Sequence, residues 1–508
     1  MGRRREPLLP LVDHRSEDRG REVRRKPHLS GPRLCPHDDS MLLQWVRDPA
    51  VLLGTESDGR AGGVDPSGHE EHDPSVDLFE VSADRGKRRL DGRMRDHGGR
   101  PSPTGGKFLR PHRCGARFTY RDRCPGTMEI VLASNFDNRL VEETSDLPVS
   151  TFFGGYAVQL TGGGRPPQIL PSVDPERFRA HLTVVHGHGR QFYATLNSND
   201  LGLKEYGPNY VDRFLREVGE LLDLGVDGFV IALPALIEAV RTEWPDVPIT
   251  VSTFARIRTV TQAEYFLGLG ARTIILEEAN RDFRLIRGLV RLGAEVEILV
   301  NQSCLPSCPY RGHHLNTSSL ASQPGAACPS FEYPILECGL EYVRDPSKLI
   351  SGIFVRPEDL EVFEEAGVHR FKVSGRNRST DWLVRCARAY AARSYRGDLT
   401  DILSLVQVKG PLSALRRLEE GADGETARTF ARAFAPLSDL SIDNTAFPPD
   451  FLRHIAGVDC DHTTCEACGY CRGVAQKVLR VSGRPVSEYV APAGLPSPIR
   501  VLPQLGPR

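Results

Sequence analysis

From Met128 onward, short runs of apolar, β-favouring residues alternate with longer segments whose apolar positions recur at helical spacing. The runs fall at Glu129–Ala133, Thr151–Ala157, Gln191–Leu196, Gly228–Ala232, Ile249–Ser252, Arg272–Leu276, Val296–Val300 and Arg370–Val373. Amphipathic patterns at Tyr210–Leu224, Leu233–Glu243, Thr261–Leu269 and Arg281–Leu292 lie between them. Strands alternating with helices predict parallel βαβ units. Eight of them over this length fit a closed (β/α)₈ TIM-type barrel, an α/β fold, better than an open sheet.

The flanking segments read differently. Residues 1–127 sustain neither a helical nor a strand period and are crowded with Arg, Asp, Gly and Pro, as in "GRRREP" and "DRGKRRLDGRMRDHGGR". They are expected to be a disordered extension, or a spurious one upstream of a genuine start at Met128, the last methionine of the chain. The basic arm is therefore no argument for nucleic acid, which stays open as a partner. The expected barrel spans 128–397, with a cysteine-bearing insertion over 301–350 after strand seven; 398–508 forms a small cysteine-rich C-terminal appendage.

Composition narrows the class. The 508 residues are 40% hydrophobic with a formal net charge of −1, a globular balance without a global field that attracts polyanions. No apolar run approaches the ~20 residues that span a bilayer. The N-terminal run Leu8–Val12 is short and interrupted by Pro10. A cytoplasmic protein without a membrane partner is expected.

Cysteine placement carries the candidate chemistry. Of twelve cysteines, Cys304, Cys308, Cys328 and Cys338 share one window and Cys460, Cys465, Cys468 and Cys471 another. Tight clusters in a large chain without a secretion signal point to metal ligation rather than disulfides. Cys304 and Cys308 follow strand seven directly, at the end of a barrel where chemistry sits. Their spacing, C-x₃-C-x₁₉-C-x₉-C, matches neither a bacterial ferredoxin nor a standard zinc finger. A Pro-kinked loop can nevertheless wrap four thiolates around an iron–sulfur cluster, and zinc in a Cys₄ or Cys₃His site using His313 or His314 is the alternative. The second set, C-x₄-C-x₂-C-x₂-C, contains a ferredoxin-like run and equally suits a structural zinc.

Polar residues at strand ends converge on the same mouth. They are Asn197, Ser252, Thr253, Glu277, Glu278, Asn301 and the stretch Lys372–Arg376. Arg165 in "GGGRP", Arg311, Lys372 and Arg376 together would form a cationic pocket for a carboxylate. Alternatively, such cations pair with Glu277 and Glu278 and only hold loops. His186 and His188 in "HGHGR" fall on the opposite face and read as a surface turn. The sequence contains no HExxH and no GxSxG.

From Met128 to about Cys471 the chain resembles the collagenase-like (PrtC-type) peptidase family. The resemblance rests on "FYATLN" at Phe192, "VDGFVIALPALIEAV" at Val226, "PITVSTFARIRT" at Pro248, "LGARTIILEEANRDF" at Leu269, "NQSCLPSCPYRGHHLN" at Asn301, "VRPEDLEVFEEAGVHRFKVSGR" at Val355 and "CEACGYC" at Cys465. It implies a [4Fe–4S] cluster on Cys304, Cys308, Cys328 and Cys338. It also implies kinship with iron–sulfur proteins of oxygen-independent hydroxylation, which act on ubiquinone or RNA bases, with prephenate as an oxygen source and partner proteins of the same family. Ser374 stands where many relatives carry Glu, and the second cysteine set is not shared by the whole family.

Three functions follow as expectations. The first is an iron–sulfur barrel enzyme hydroxylating, or otherwise oxidatively modifying, a small molecule or RNA base. The others are a peptidase of unassigned type and a non-catalytic partner subunit with structural metal centres.

Overall fold

The computed structural model describes residues 126–155, 159–326, 333–405, 408 and 424–501. The N-terminal extension, apart from its last two residues, lies outside them, as do Cys35, Cys114, Cys124 and Cys328.

Eight parallel strands close into a barrel in sequence order, the last pairing with the first. They are β1 (Glu129–Ala133), β2 (Val149–Gly154), β3 (Gln191–Leu196), β4 (Gly228–Ile231), β5 (Ile249–Val251), β6 (Thr273–Leu276), β7 (Glu295–Leu299) and β8 (Arg370–Val373). All eight expected strands form. β7 runs one residue earlier than expected and β2 starts two earlier: a bulge between Ile130 and Val131 lets Ile130 pair with Val149 and Val131 with Thr151.

One α-helix follows each strand except β7 among the described residues: α1 (Asn138–Glu143), α2 (Pro175–Gly187), α3 (Tyr210–Leu224), α4 (Pro234–Glu243), α5 (Val260–Gly268) and α6 (Phe283–Arg291). After β7 come α7 (Arg311–Ala321), α8 (Tyr333–Arg344), α9 (Lys348–Ser351) and α10 (Leu360–Glu365), and after β8 comes α11 (Thr380–Ala391). Capping residues set the starts. Asp282 accepts the backbone N–H groups of Arg284 and Leu285 at 3.0 Å, so α6 begins at Phe283 and leaves Arg281 in the loop above β6.

The barrel interior is partly ionic. Strand parity turns Arg370 and Lys372 of β8 inward, while Phe371 turns outward onto Phe363 of α10. Arg370 pairs with Glu129 of β1 and with Glu295 and Glu297 of β7. Lys372 Nζ lies 2.9 Å from Glu297 and 3.6 Å from the ring centroid of Phe153. Lys372, expected in the cationic pocket at the mouth, is thus committed inside the barrel. A fully buried ammonium is held by a buried carboxylate and an aromatic face.

The C-terminal segment contributes α12 (Gly424–Phe434), α13 (Phe451–Ala456), α14 (Cys465–Cys468), α15 (Tyr470–Val478) and a three-stranded antiparallel sheet of β9 (Leu440–Ile442), β10 (Leu479–Val481) and β11 (Arg484–Pro485). Its buried side chains, including Phe447, Phe451, Ile455 and Val478, belong to the same apolar cluster as the barrel. Phe447 meets Phe354 edge-on at 6.5 Å, and Arg356 lies 4.6 Å over the Phe447 ring.

Candidate metal centre and barrel mouth

The ends of β2, β3 and β8 build a polar cluster. Arg376, just past β8, is half-buried; its Nη1 donates to Thr195 Oγ1 at 2.9 Å and its Nη2 to the Gly163 carbonyl at 2.7 Å. Gly155 and Gly163 let these side chains approach the backbone closely. A Cβ on either would come within 3.4 Å of Arg376, Thr195 and Gln159. At Gly164, whose φ is +67°, a Cβ would stand 3.1 Å from Asn197 Oδ1. Asn197 Oδ1 and Gln159 Nε2 are buried without a hydrogen-bond partner. Burial, with the Arg165 charge added, pulls the Arg376 guanidinium down to about 9. Among the described residues, neither Arg165 nor Arg376 has a carboxylate partner. Two cations and the Gln159 Nε2 donor could meet an anion here, while the Asn197 Oδ1 acceptor suits a hydroxyl or N–H.

The other expected residues divide. Asn301 is a strut: its Nδ2 donates to the Ser374 carbonyl and its Oδ1 accepts the Ser374 N–H, both at 2.9 Å. Gln302 Nε2 donates to the Ser374 hydroxyl at 2.7 Å, so β7 and β8 are tied at their ends. Arg311 pairs with Glu277, and Arg256 with Glu278 at 2.8 Å. For Arg311, the loop-holding alternative describes the contact.

Three thiols of the first set lie within electrostatic reach of one another. Cys304 and Cys308 flank the loop after β7, and Cys338 projects from α8. The Cys338 thiol is pushed up by burial and by the charges of Cys304 and Cys308. Burial likewise pushes Cys304 up to about 11, opposed by Arg311 and Arg165, and raises Cys308, opposed by the backbone N–H groups of Tyr310 and Arg311. His314 is driven down to about 3 by burial and by Arg311 and Arg165, which keeps its imidazole neutral. Among the described residues, no group of three or more Cys, His, Asp or Glu side chains is placed to hold a metal ion. The half-buried thiols, with N–H groups and a guanidinium at the sulfurs, are soft donors of the kind an iron–sulfur cluster takes. Cys328, the fourth expected ligand, lies outside the described residues.

The second set stands on the far side of the same loop. Cys460, Cys465, Cys468 and Cys471 line one cavity of about 580 Å³, whose opposite wall includes Leu305, Pro306, Ser307 and Pro309.

Residues 171–305, from the start of α2 to the loop after β7, match the family described as peptidase family U32. The chain carries a domain of this collagenase-like U32 family. An uncharacterized protease of Methanocaldococcus jannaschii is 23% identical over 362 residues, 70% of this chain and 98% of that protein. The tRNA hydroxylation protein P of Helicobacter pylori is 23% identical over 244 residues, 42% of this chain, and the match spans about half of that relative, 53%. A solved U32 peptidase superposes with a TM-score of 0.37 at 19% identity, covering 53% of this chain and 97% of that one.

The U32 match contains Asn197, Asn301 and Cys304, whereas Arg165, Arg376, Cys308 and Cys338 lie outside its bounds. A hydrogen-bond chain that sequence reasoning missed bears on the peptidase name of the U32 family. Ser134, at the end of β1, lies 2.8 Å from His181 Nε2, and His181 Nδ1 lies 2.8 Å from Asn138 Oδ1. The order is that of a serine-hydrolase triad. The serine, however, is 0% exposed and the histidine 1%. Phe136, whose ring packs on those of Phe178 and Phe192, covers the histidine edge-on. No substrate carbonyl reaches this hydroxyl in the folded chain, and the chain pins α2 to β1 and α1. Its members are 47 and 43 residues apart, and no local motif announces them.

Proposed function

We propose that this U32 barrel is an iron–sulfur enzyme that carries out oxygen-independent hydroxylation, or a related redox modification, of a small molecule or RNA base with a small carboxylate as co-reactant. One observation supports the reading: Arg376 donates to Thr195 and to the Gly163 carbonyl without a carboxylate partner among the described residues, beside the unpartnered Asn197 Oδ1 and Gln159 Nε2. When bound, a cluster on Cys304, Cys308, Cys338 and Cys328 would supply one-electron chemistry. The chain's own residues do the rest. Arg376 and Arg165 hold a carboxylate, Asn197 Oδ1 and Gln159 Nε2 orient its polar groups, and the backbone N–H groups of Tyr310 and Arg311 offset thiolate charge at Cys308. The relative named for tRNA hydroxylation supports the reaction class.

The test is anaerobic purification of the full chain, with a visible spectrum, iron and sulfide analysis, and calorimetric titration with prephenate. A brown protein that binds prephenate, and loses that binding in Arg376→Ala, supports the reading. A colourless protein with stoichiometric zinc overturns it. The peptidase reading draws on the family description, the protease relative and the Ser134–His181–Asn138 chain, and burial argues against that chain as a nucleophile. Peptide hydrolysis lost in Ser134→Ala would restore it.

A further inference from the structure

The second cysteine set offers a site of its own. Thr464 caps the short helix that carries Cys465 and Cys468, and Gly469 at φ +66° turns the chain so that Cys471 returns to the same cavity. Cys460 approaches from the preceding loop. The Cys471 thiol feels the charges of Cys460, Cys465 and Cys468, so the four sulfurs form one electrostatic group.

Beneath them lies an unusual cation. Arg281 lines the cavity half-buried; its Nη groups donate to the carbonyls of Ile350, Ser351 and Phe354, and its guanidinium lies 5.1 and 5.6 Å from the ring centroids of Phe354 and Phe451. Its Nε has no hydrogen-bond partner. Asp359, a carboxylate whose charge reaches it, is already held by Arg356 through two bonds of 2.7 and 2.8 Å. The other arginines of the cavity differ: Arg258 pairs with Asp461 at 3.0 Å and Arg284 with Asp459 at 2.7 Å. A half-buried guanidinium without its own carboxylate favours an anion beside it. A metal centre ligated by four thiolates has a net negative charge and supplies one.

We infer that Cys460, Cys465, Cys468 and Cys471 hold a second iron–sulfur cluster, seated over Arg281 and separated from the Cys304 site by the Leu305–Ser307 loop. The sequence spacing favours a polynuclear cluster over zinc: C-x₂-C-x₂-C belongs to ferredoxin-type ligation, and all four thiols line the same cavity.

The inference adds a centre to the enzyme proposed above, but it is tested separately. Iron, sulfide and zinc are measured on anaerobically reconstituted full-length chain and on two variants, Cys304→Ala/Cys308→Ala and Cys465→Ala/Cys468→Ala. About eight iron and eight sulfide per wild-type chain, with about four kept by each variant, is the expected result. A first variant that keeps zinc, or no metal, overturns the inference. A wild type whose iron disappears only in the second variant upholds it while removing the functional proposal. Should the second variant fail to fold, the wild-type stoichiometry and the first variant's spectrum still decide. Arg281→Gln should assemble the cluster with a more negative midpoint potential. An unchanged potential would sever Arg281 from the site.

Discussion

Arg311 and Cys304 are joined through one guanidinium: Nη1 stands 3.5 Å from the Cys304 sulfur while Nη2 donates to Glu277. Arg311 and Glu277 are both buried, 7% and 6% exposed at the side chain. Removing one partner of such a pair strands the other's charge. Arg311→Ala is therefore expected to lower folding stability by roughly 3–5 kcal/mol, whereas Arg311→Met/Glu277→Gln should recover most of it. Denaturant unfolding of the metal-free chain measures both. A single-variant loss below about 1 kcal/mol would mean that the pair does not hold the loop.

Arg376 predicts the opposite balance. Its guanidinium is half-buried with one hydroxyl and one carbonyl for partners, and desolvation already weakens its hold on the proton. Arg376→Leu should raise the unfolding temperature of the ligand-free chain, by about 1–2 kcal/mol of stability, and abolish carboxylate binding. Wild type in saturating prephenate should recover that difference by linkage. A variant less stable than wild type without ligand would make Arg376 a structural tie.

How far these sites could be read from sequence depends on the kind of contact. The strands were legible because buried parallel strands are continuous apolar runs, and β1, β3 and β8 fall at their expected bounds. Cys304 at the mouth was legible because it follows β7 directly. The fate of Lys372 was not: a strand buried on both faces does not reveal which parity points inward, and its partner Glu297 lies on the neighbouring strand, 75 residues earlier. Arg281 sat at the start of an apparent helical pattern. The cap at Asp282 was the available signal that it belongs to a loop instead.

Glu217 on α3 should make stability fall with rising pH. Burial lifts its carboxyl from 4.5 to about 7, against the pull of the Leu160 N–H, which it accepts at 2.9 Å. Between those two values the folded chain retains a proton that the unfolded chain has released. Stability therefore declines as pH rises through that window. Glu217→Gln keeps an acceptor for Leu160 and has no charge to bury. Its unfolding temperature should match wild type near pH 5 and exceed it at pH 8. Parallel melting curves would locate the carboxylate elsewhere.

His181 should act in the reverse sense. Burial and the Arg177 charge lower it from 6.5 to about 4, so below pH 6.5 the unfolded chain takes up a proton that the folded chain refuses. The stability that depends on neutral His181 is complete above 6.5 and is lost as pH falls toward 4. The hydrogen bonds are consistent with one neutral tautomer. Asn138 Oδ1 accepts from Nδ1–H, and Nε2 accepts from Ser134, whose oxygen in turn accepts the Phe136 N–H at 3.0 Å. Ser134→Ala would leave Nε2 and the Phe136 N–H without partners in a closed aromatic pocket, a loss of about 1–3 kcal/mol. Because that pocket admits no substrate, turnover per folded molecule should be unchanged. A Ser134→Ala protein that keeps its unfolding temperature yet loses activity would turn this structural chain into a catalytic one.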